Sequence, residues 1–455
     1  MSIPPDSRLY ADHAATSWPK APGVVEAVAQ GASLAFSPGR GSYRESLDSG
    51  DVVHAVRTKV ARLLGGGAAV PPESVVFTYN TTDALNTAIK GVVRHALLEG
   101  RKAHIVASDL DHNSVLRPLH ALTREGATYT LIQPRPATAD NSQQQWFLHP
   151  GDFAAAIRPE TVLVITNMVS NVTGAIQPTA QIGDICRSRG VLHLVDAAQS
   201  AGHIEVSAAD VNADLITLAG HKGLLGPQGI AMLYVRPGVE GRVLPLREGG
   251  TGNKAERPEM PTSMPERFEA GTMNIIGLYG LNAALDYVFK RGIAALRAHE
   301  ETFIRRVLKD CAPNGGRLKA FTLLGPTKVE ARTAVFSFTH PALSPTDLAA
   351  MLESRFGILT RAGLACAPRA LSLGGPVVPT GSGLHQNPPS TNSQAIPPHP
   401  DFMRTNTQPP PQSAMTAPTA PLQQGAMRVS FGPFQTETDV DRVITAMEVI
   451  ALTAA

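Results

Sequence analysis

From about residue 50 to residue 275, short apolar runs alternate with longer segments of helical period. The runs are SVVFT (74–78), HIVAS (104–108), TVLVITN (161–167), VLHLVD (191–196), LITLAG (215–220) and IAMLYV (230–235). Segments such as DALNTAIKGVVRHALLEG (83–100) and PTAQIGDICRSRG (178–190) lie between them. An amphipathic strand would alternate apolar and polar residues. Continuous apolar strands separated by helices predict an α/β chain, with a largely parallel sheet covered on both faces. Ligands of such sheets bind beyond the carboxyl ends of the strands. Polar residues gather at those ends here: Thr81 and Thr82, His112, Asn171, Asp196, and His221 with Lys222.

After about residue 280 the pattern changes. A long helix, GLNAALDYVFKRGIAALRAHEETFIRRVLKD, is followed by strands such as TAVFSFT (333–339) and a last helix, TDVDRVITAMEVIALTA. This predicts a smaller α+β C-terminal domain. The expected division is an arm at 1–20 joining the small domain, a large domain at 21–279, and a small domain at 280–373 and 427–455. Residues 374–426 interrupt the latter. They hold twelve of the 37 prolines, and their only charged residues are Asp401 and Arg404. That composition cannot bury a core and predicts a disordered insert.

A net charge of +2, with no basic run or stripe, argues against nucleic acid as a partner. No run of about 20 apolar residues suggests a membrane span, and the N-terminus has no secretory or transit pattern. A cytoplasmic location is expected. The histidines show no metal-ligand spacing, so no metal is expected. Three cysteines are too few for a disulfide framework. Cys186 falls in a helical pattern and reads as packing, and Cys311 suggests no role. Cys366, in RAGLACAP, sits among small residues and turn formers that can present a thiol.

LITLAGHKGLLGPQG places Lys222 directly after an apolar strand, between Gly220 and Gly223. The glycines are expected to let a ligand approach the backbone. A lysine in so apolar a neighbourhood has its pKa lowered, as Schiff-base chemistry requires. Asp196 ends the strand VLHLVD, either as a helix cap or as a carboxylate partner for a protonated ring nitrogen. Gln199 follows in the next turn. In FTYNTTDAL, Thr81 and Thr82 open a helix whose free N–H groups form an anion site. His112 stands at a strand-to-helix junction and could stack on a ring and move protons.

These elements, together with ADHAATSWPKAPG, GRGSYRE, DLDHNSVLRPL, MVSNVTGAIQP, VDAAQSAGH, RFEAGTMN, RAGLACAP and MRVSFGPFQTETDVDRVI, resemble the class V aminotransferase family of fold-type I pyridoxal-5′-phosphate (PLP) enzymes. The similarity is strongest to the cysteine desulfurase and selenocysteine lyase branch. The resemblance implies a mostly parallel seven-stranded sheet between helices. It implies that Lys222 binds PLP covalently, Asp196 pairs with the pyridine nitrogen, His112 stacks on the ring, and Asn171 and Gln199 reach the phenolic oxygen. Thr81, Thr82 and His221 would hold the phosphate, joined by Thr272 from the neighbouring subunit of a homodimer. Arg428 would bind the substrate carboxylate, with Arg361 supporting it or the loop that carries Cys366. Cys366 would take sulfur from L-cysteine as a persulfide, leaving L-alanine, and pass it to an acceptor protein.

Three positions depart from the family's pattern. Ala219 stands where some members have a phosphate-binding serine. Tyr43 lies where relatives often carry a partner-subunit histidine, and Ala365 where close relatives often have histidine. Selenocysteine lyase, or a PLP-dependent aminotransferase or epimerase, are the alternative activities. A non-catalytic sulfur-relay scaffold is opposed by the intact Lys222.

Overall fold

The computed structural model describes residues 8–38, 41–138, 141–251, 256–312, 314–372 and 425–454. Strand β1 (Leu9–Tyr10) belongs to the N-terminal arm. The main sheet is formed by β2 (Val75–Thr78), β3 (His104–Ser108), β4 (Thr128–Ile132), β5 (Thr161–Asn167), β6 (Leu192–Asp196), β7 (Leu215–Ala219) and β8 (Ala231–Val235). Its order is β2-β8-β7-β6-β5-β3-β4. Only β8 runs against the others, pairing antiparallel with both β7 and β2. Strands β2, β3 and β5 to β8 are buried along their whole length. One face packs a core that includes Val75, Ile216 and Leu278, the other a core that includes Ile105, Leu163 and Leu233. Burial on both faces is why these strands lack alternation.

The six strands expected from the apolar runs are all present. Strand β4 was not expected: its sequence, TYTLI, is only half-buried at the sheet edge and lacks the continuous apolar run of its neighbours. The single helix expected after 280 is two, Ile275–Arg291 and Ile293–Asp310. Gly292, at φ 78°, separates them in a conformation that a side-chain-bearing residue adopts at a cost.

A second sheet of β9 (Thr322–Leu324), β10 (Val335–Thr339), β12 (Arg361–Gly363) and β13 (Ala426–Ser430) has the order β12-β13-β10-β9. Strand β1 pairs in parallel with β11 (Ile358–Leu359). Leu9 and Ala11 of the arm share a core with Phe303, Phe336 and Ile444. The expected insert ends one residue too late, since Ala426 is the buried first residue of β13. Residues 374–424 of that insert lie outside the described residues.

Candidate active site

The carboxyl ends of β2, β3, β5, β6 and β7 converge on one cleft. It is lined by Thr81, Thr82, His112, Asn171, Asp196, Gln199, His221 and Lys222. Eight residues expected to hold one ligand, from five segments of chain, are thus brought together.

Each is fixed by local chemistry. Asn80 caps the helix Thr81–Leu98 by accepting from the Asp83 amide at 2.9 Å. The first-turn N–H groups of Thr81 and Thr82 then face the cleft side of a helix N-terminus, a suitable place for an anion. The Thr82 hydroxyl is not free, because it lies 2.9 Å from Ser114 Oγ. Ser114 Oγ in turn lies 2.7 Å from His112 Nδ1, which also accepts from the Ser114 amide at 3.1 Å. An amide can only donate, so Nδ1 is unprotonated and the neutral ring carries its proton on Nε2. Burial, with Lys222 and Arg361 nearby, pushes the His112 pKa down to about 4. Ser114 was not singled out in the sequence; only its spacing of two from His112 at a helix start could have marked it.

Asp196 is buried, and its Oδ1 accepts from the Ala198 amide at 3.0 Å. Thr217 Oγ1 lies farther, at 3.4 Å. The capping and functional roles therefore coexist. Burial raises its pKa, and Lys222 opposes the rise. Lys222 has its own pKa lowered to about 8, chiefly by burial and further by Arg428 and Arg361, while Asp196 and Cys366 pull it up. The flanking glycines admit close backbone neighbours. A Cβ on Gly223 would stand 2.3 Å from the Ala201 carbonyl, and one on Gly220 would stand 2.8 Å from that of Ile230. Gly223 thus packs the Lys222 loop against the turn after Asp196, and Gly220 packs it against the residue that precedes β8.

The arm reaches the cleft from the far end of the sequence. Gln199 Nε2 donates to the Ala14 carbonyl at 2.7 Å, and His221 Nδ1 lies 2.9 Å from Thr16 Oγ1. Arg428 is buried. Its Nη2 meets Asp12 Oδ1 at 2.6 Å, and its Nη1 donates to the Asn171 carbonyl at 2.9 Å. Asn171 Nδ2 donates to the Ala365 carbonyl at 2.7 Å. A carbonyl only accepts, so the amide keeps its oxygen for the cleft. Asn171 Oδ1 and Arg428 Nε are buried without partners, and such atoms call for a polar ligand.

Cys366 is exposed beside this cleft, with Arg361 Nη2 3.5 Å from its sulfur. Ala365 and Cys366 have φ of 47° and 58°, a left-handed pair without glycine. The pair is held by Asn171 and by the Asn113 amide, which donates to the Cys366 carbonyl at 2.9 Å. Strain of this kind collects at functional loops. Ala365 is buried in a cluster with Val172 and Ala367. Cys186 is buried within its helix and Cys311 is half-buried. Thr272 is not in the cleft: it is exposed and lines a separate surface with Arg57 and Glu269. Tyr43, also exposed, precedes the helix Arg44–Gly65.

The sequence pattern of the class-V aminotransferase family matches residues 9–443. The chain belongs to that family. A probable cysteine desulfurase from Methanothermobacter thermautotrophicus is 30% identical over 367 residues, covering 80% of this chain and 86% of the relative. A cysteine desulfurase from Yersinia pseudotuberculosis is 30% identical over 331 residues, covering 72% and 76%. Among solved structures, a cysteine desulfurase from Thermococcus onnurineus superposes with a TM-score of 0.77 at 27% identity, covering 100% of this chain and 99% of that one. One from Escherichia coli, at 24% identity and a TM-score of 0.73 over 98% and 95%, shares the fold. As a class-V aminotransferase relative, the chain has the mostly parallel sheet flanked by helices that its sequence predicted.

Proposed function

We propose that this protein is a PLP-dependent cysteine desulfurase that moves sulfur from L-cysteine onto Cys366 and releases L-alanine. The observation that carries the proposal is that Lys222 lines the cleft while Cys366 and Arg361 stand near enough to act on its charge, with Arg361 Nη2 3.5 Å from the Cys366 sulfur. The residues present fit PLP. A first-turn anion site, a buried carboxylate, a neutral imidazole, a lysine of lowered pKa and the unpartnered Asn171 Oδ1 surround one space. Thr81, Thr82 and His221 would hold the phosphate, Asp196 the ring nitrogen, and Gln199 and Asn171 the ring's polar edge. Bound PLP would supply an electron sink for charge developing on the substrate carbons.

The chain's own residues supply the rest. Arg428, with Nε unspent, grips the substrate carboxylate, and Arg361 stands at the mouth. The Lys222 amine takes and returns protons at the substrate α-carbon. The Cys366 thiolate attacks the substrate sulfur. The Cβ–S bond breaks with its electron pair left on carbon, which is then protonated, and an S–S bond forms on Cys366.

Thr272 of the partner subunit would complete the phosphate site of a homodimer, and its position outside its own chain's cleft supports that arrangement. The arm with residues 280–373 and 427–455 would form a small domain beside a large one at 21–279. A sulfur-acceptor protein would take the persulfide in the cytoplasm.

The test is incubation with L-cysteine followed by mass spectrometry and alanine assay. An adduct of about 32 Da, one sulfur atom, is expected on Cys366. Undiminished alanine release by Cys366→Ala would overturn the persulfide step.

A further inference from the structure

Three side chains of the cleft wall, Thr82, Ser114 and His112, are joined end to end. The Ser114 amide, 3.1 Å from His112 Nδ1, can only donate, so Nδ1 holds a lone pair and the proton of the neutral ring is on Nε2. Ser114 Oγ lies 2.7 Å from the same Nδ1, and the proton between them must be the hydroxyl's. That spends Ser114's only side-chain proton. Thr82 Oγ1 lies 2.9 Å from Ser114 Oγ, and the proton between those two oxygens is therefore Thr82's. The bonds run one way, from the Thr82 hydroxyl to Ser114 Oγ and from the Ser114 hydroxyl to His112 Nδ1. Among the described residues nothing else bonds the ring, so its Nε2–H is left to the cleft that His112 lines.

The Thr82 hydroxyl has no second proton for a phosphate. Were it to turn away to one, two oxygen lone pairs would face each other at 2.9 Å, and Ser114, only 8% exposed, would lose the donor to its oxygen. The two hydroxyl bonds also polarise one another in the same direction, so breaking the first weakens the second. The backbone answers an anion instead. Asn80 takes the Asp83 amide and leaves those of Thr81 and Thr82 at the open end of the helix. The two threonines differ in this respect, since no described residue takes up the Thr81 hydroxyl.

We propose that Thr82 serves the cleft through its amide and through His112, not through a hydroxyl bond to phosphate. With Ser114 it is a positioning residue that fixes which nitrogen of His112 carries the proton and keeps the Nε2–H free for the cleft. A neutral imidazole with its proton held at one known atom is ready to give it to an acceptor there and to take one back. The inference deepens the reading of the cleft as a PLP site and rests on it for the phosphate. The proton order rests only on the fixed amide donor.

Two measurements on the full chain test this. The first is made without cofactor, by nitrogen NMR of the chain labelled at its histidine rings, with His112 identified by the resonances missing in His112→Gln. The parent should show an unprotonated Nδ1 and a protonated Nε2. The Nδ1 resonance should move in Ser114→Ala and in Thr82→Val, and return in Thr82→Ser, which keeps the hydroxyl. A protonated Nδ1 in the parent would overturn the proposal, as would an Nδ1 resonance that Thr82→Val leaves in place. The second measures the dissociation constants of PLP and of pyridoxal, which lacks the phosphate, from the absorbance each gains near about 420 nm on forming the Schiff base. A hydroxyl bond to a charged phosphate corresponds to roughly 10- to 100-fold in affinity. Thr82→Val loses no such bond and should keep the parent's preference for PLP over pyridoxal to within about twofold. A preference that falls by roughly 10- to 100-fold would overturn the proposal. Thr82→Ala gives the same two readings should valine disturb the first turn. A parent that gains no absorbance with either aldehyde would defeat the cofactor reading, and the His112 resonances would still decide the proton order.

Discussion

Asp12→Ala should weaken the binding of L-cysteine without touching any group that meets the cofactor. Asp12 Oδ1 receives Arg428 Nη2 at 2.6 Å, with the guanidinium side chain 3% exposed and the carboxylate 19% exposed. A hydrogen bond between charged groups in such a place contributes about 1.5–3 kcal/mol. Because Asp12 keeps some contact with solvent, the lower half of that range applies. Without it Arg428 retains the Asn171 carbonyl alone, and the fork loses one of the two anchors that aim its free edge at the substrate. A loss of about 1.5–2 kcal/mol corresponds to a roughly 10- to 30-fold fall in kcat/KM. The fall should reside in KM, since the chemical groups are untouched. Asp12→Asn keeps a neutral acceptor and should lose only about half that free energy, a few-fold effect. Initial rates of alanine release over a range of L-cysteine concentrations measure both variants. A KM at or below the parent's in Asp12→Ala would refute the reasoning, because it would mean that Asp12 competes with the substrate carboxylate instead of presenting the guanidinium to it.

Asp111 is buried with Oδ1 unpartnered, and burial raises its pKa from 3.8 to about 7. The folded state therefore holds a proton that the unfolded state releases above about pH 4. The stability this contributes is present below pH 4 and is lost as pH rises through 7. Asp111→Asn, always neutral, should gain in Tm relative to the parent between about pH 4 and 7 and level off above; a Tm difference independent of pH would count against the assignment. Arg332 is wholly buried and donates to the carbonyls of Pro326 at 2.6 Å, Thr173 at 3.3 Å and Val335 at 2.5 Å while stacking on Phe336. Arg332→Ala leaves those acceptors unmet and should cost about 3–5 kcal/mol in urea unfolding. Gly223→Ala would press a methyl group onto the Ala201 carbonyl. It should cost about 1–3 kcal/mol of stability and lower PLP occupancy, measured by absorbance after dialysis, because the displaced loop carries Lys222.

Local chemistry was legible where local chemistry decides position. Lys222, Asp196, His112, Thr81 and Thr82 each lie within a few residues of a strand end, and the apolar run before them announces that end. Continuous burial on both faces made the runs conspicuous, and the half-buried edge strand Thr128–Ile132 went unread for lack of it. Gly292 was visible in the sequence, but a glycine inside a helical pattern is tolerated often enough that its period alone did not mark a break. The contacts that finish the site were invisible for a different reason. Asp12 and Arg428 are separated by 416 positions, Gln199 and Ala14 by 185, and Asn171 and Ala365 by 194. No periodicity or spacing rule spans such distances; only the packed fold brings the arm and the Cys366 loop to the strand ends. The same long-range closure changes what the departures from the family pattern mean. Ala365 is a buried residue whose carbonyl holds Asn171 and whose left-handed backbone, continued at Cys366, turns the thiol outward. A larger side chain there would have to leave that cluster, so the alanine belongs to the way this chain shapes the loop, and the polar neighbour of the thiol comes from Arg361 on β12 instead.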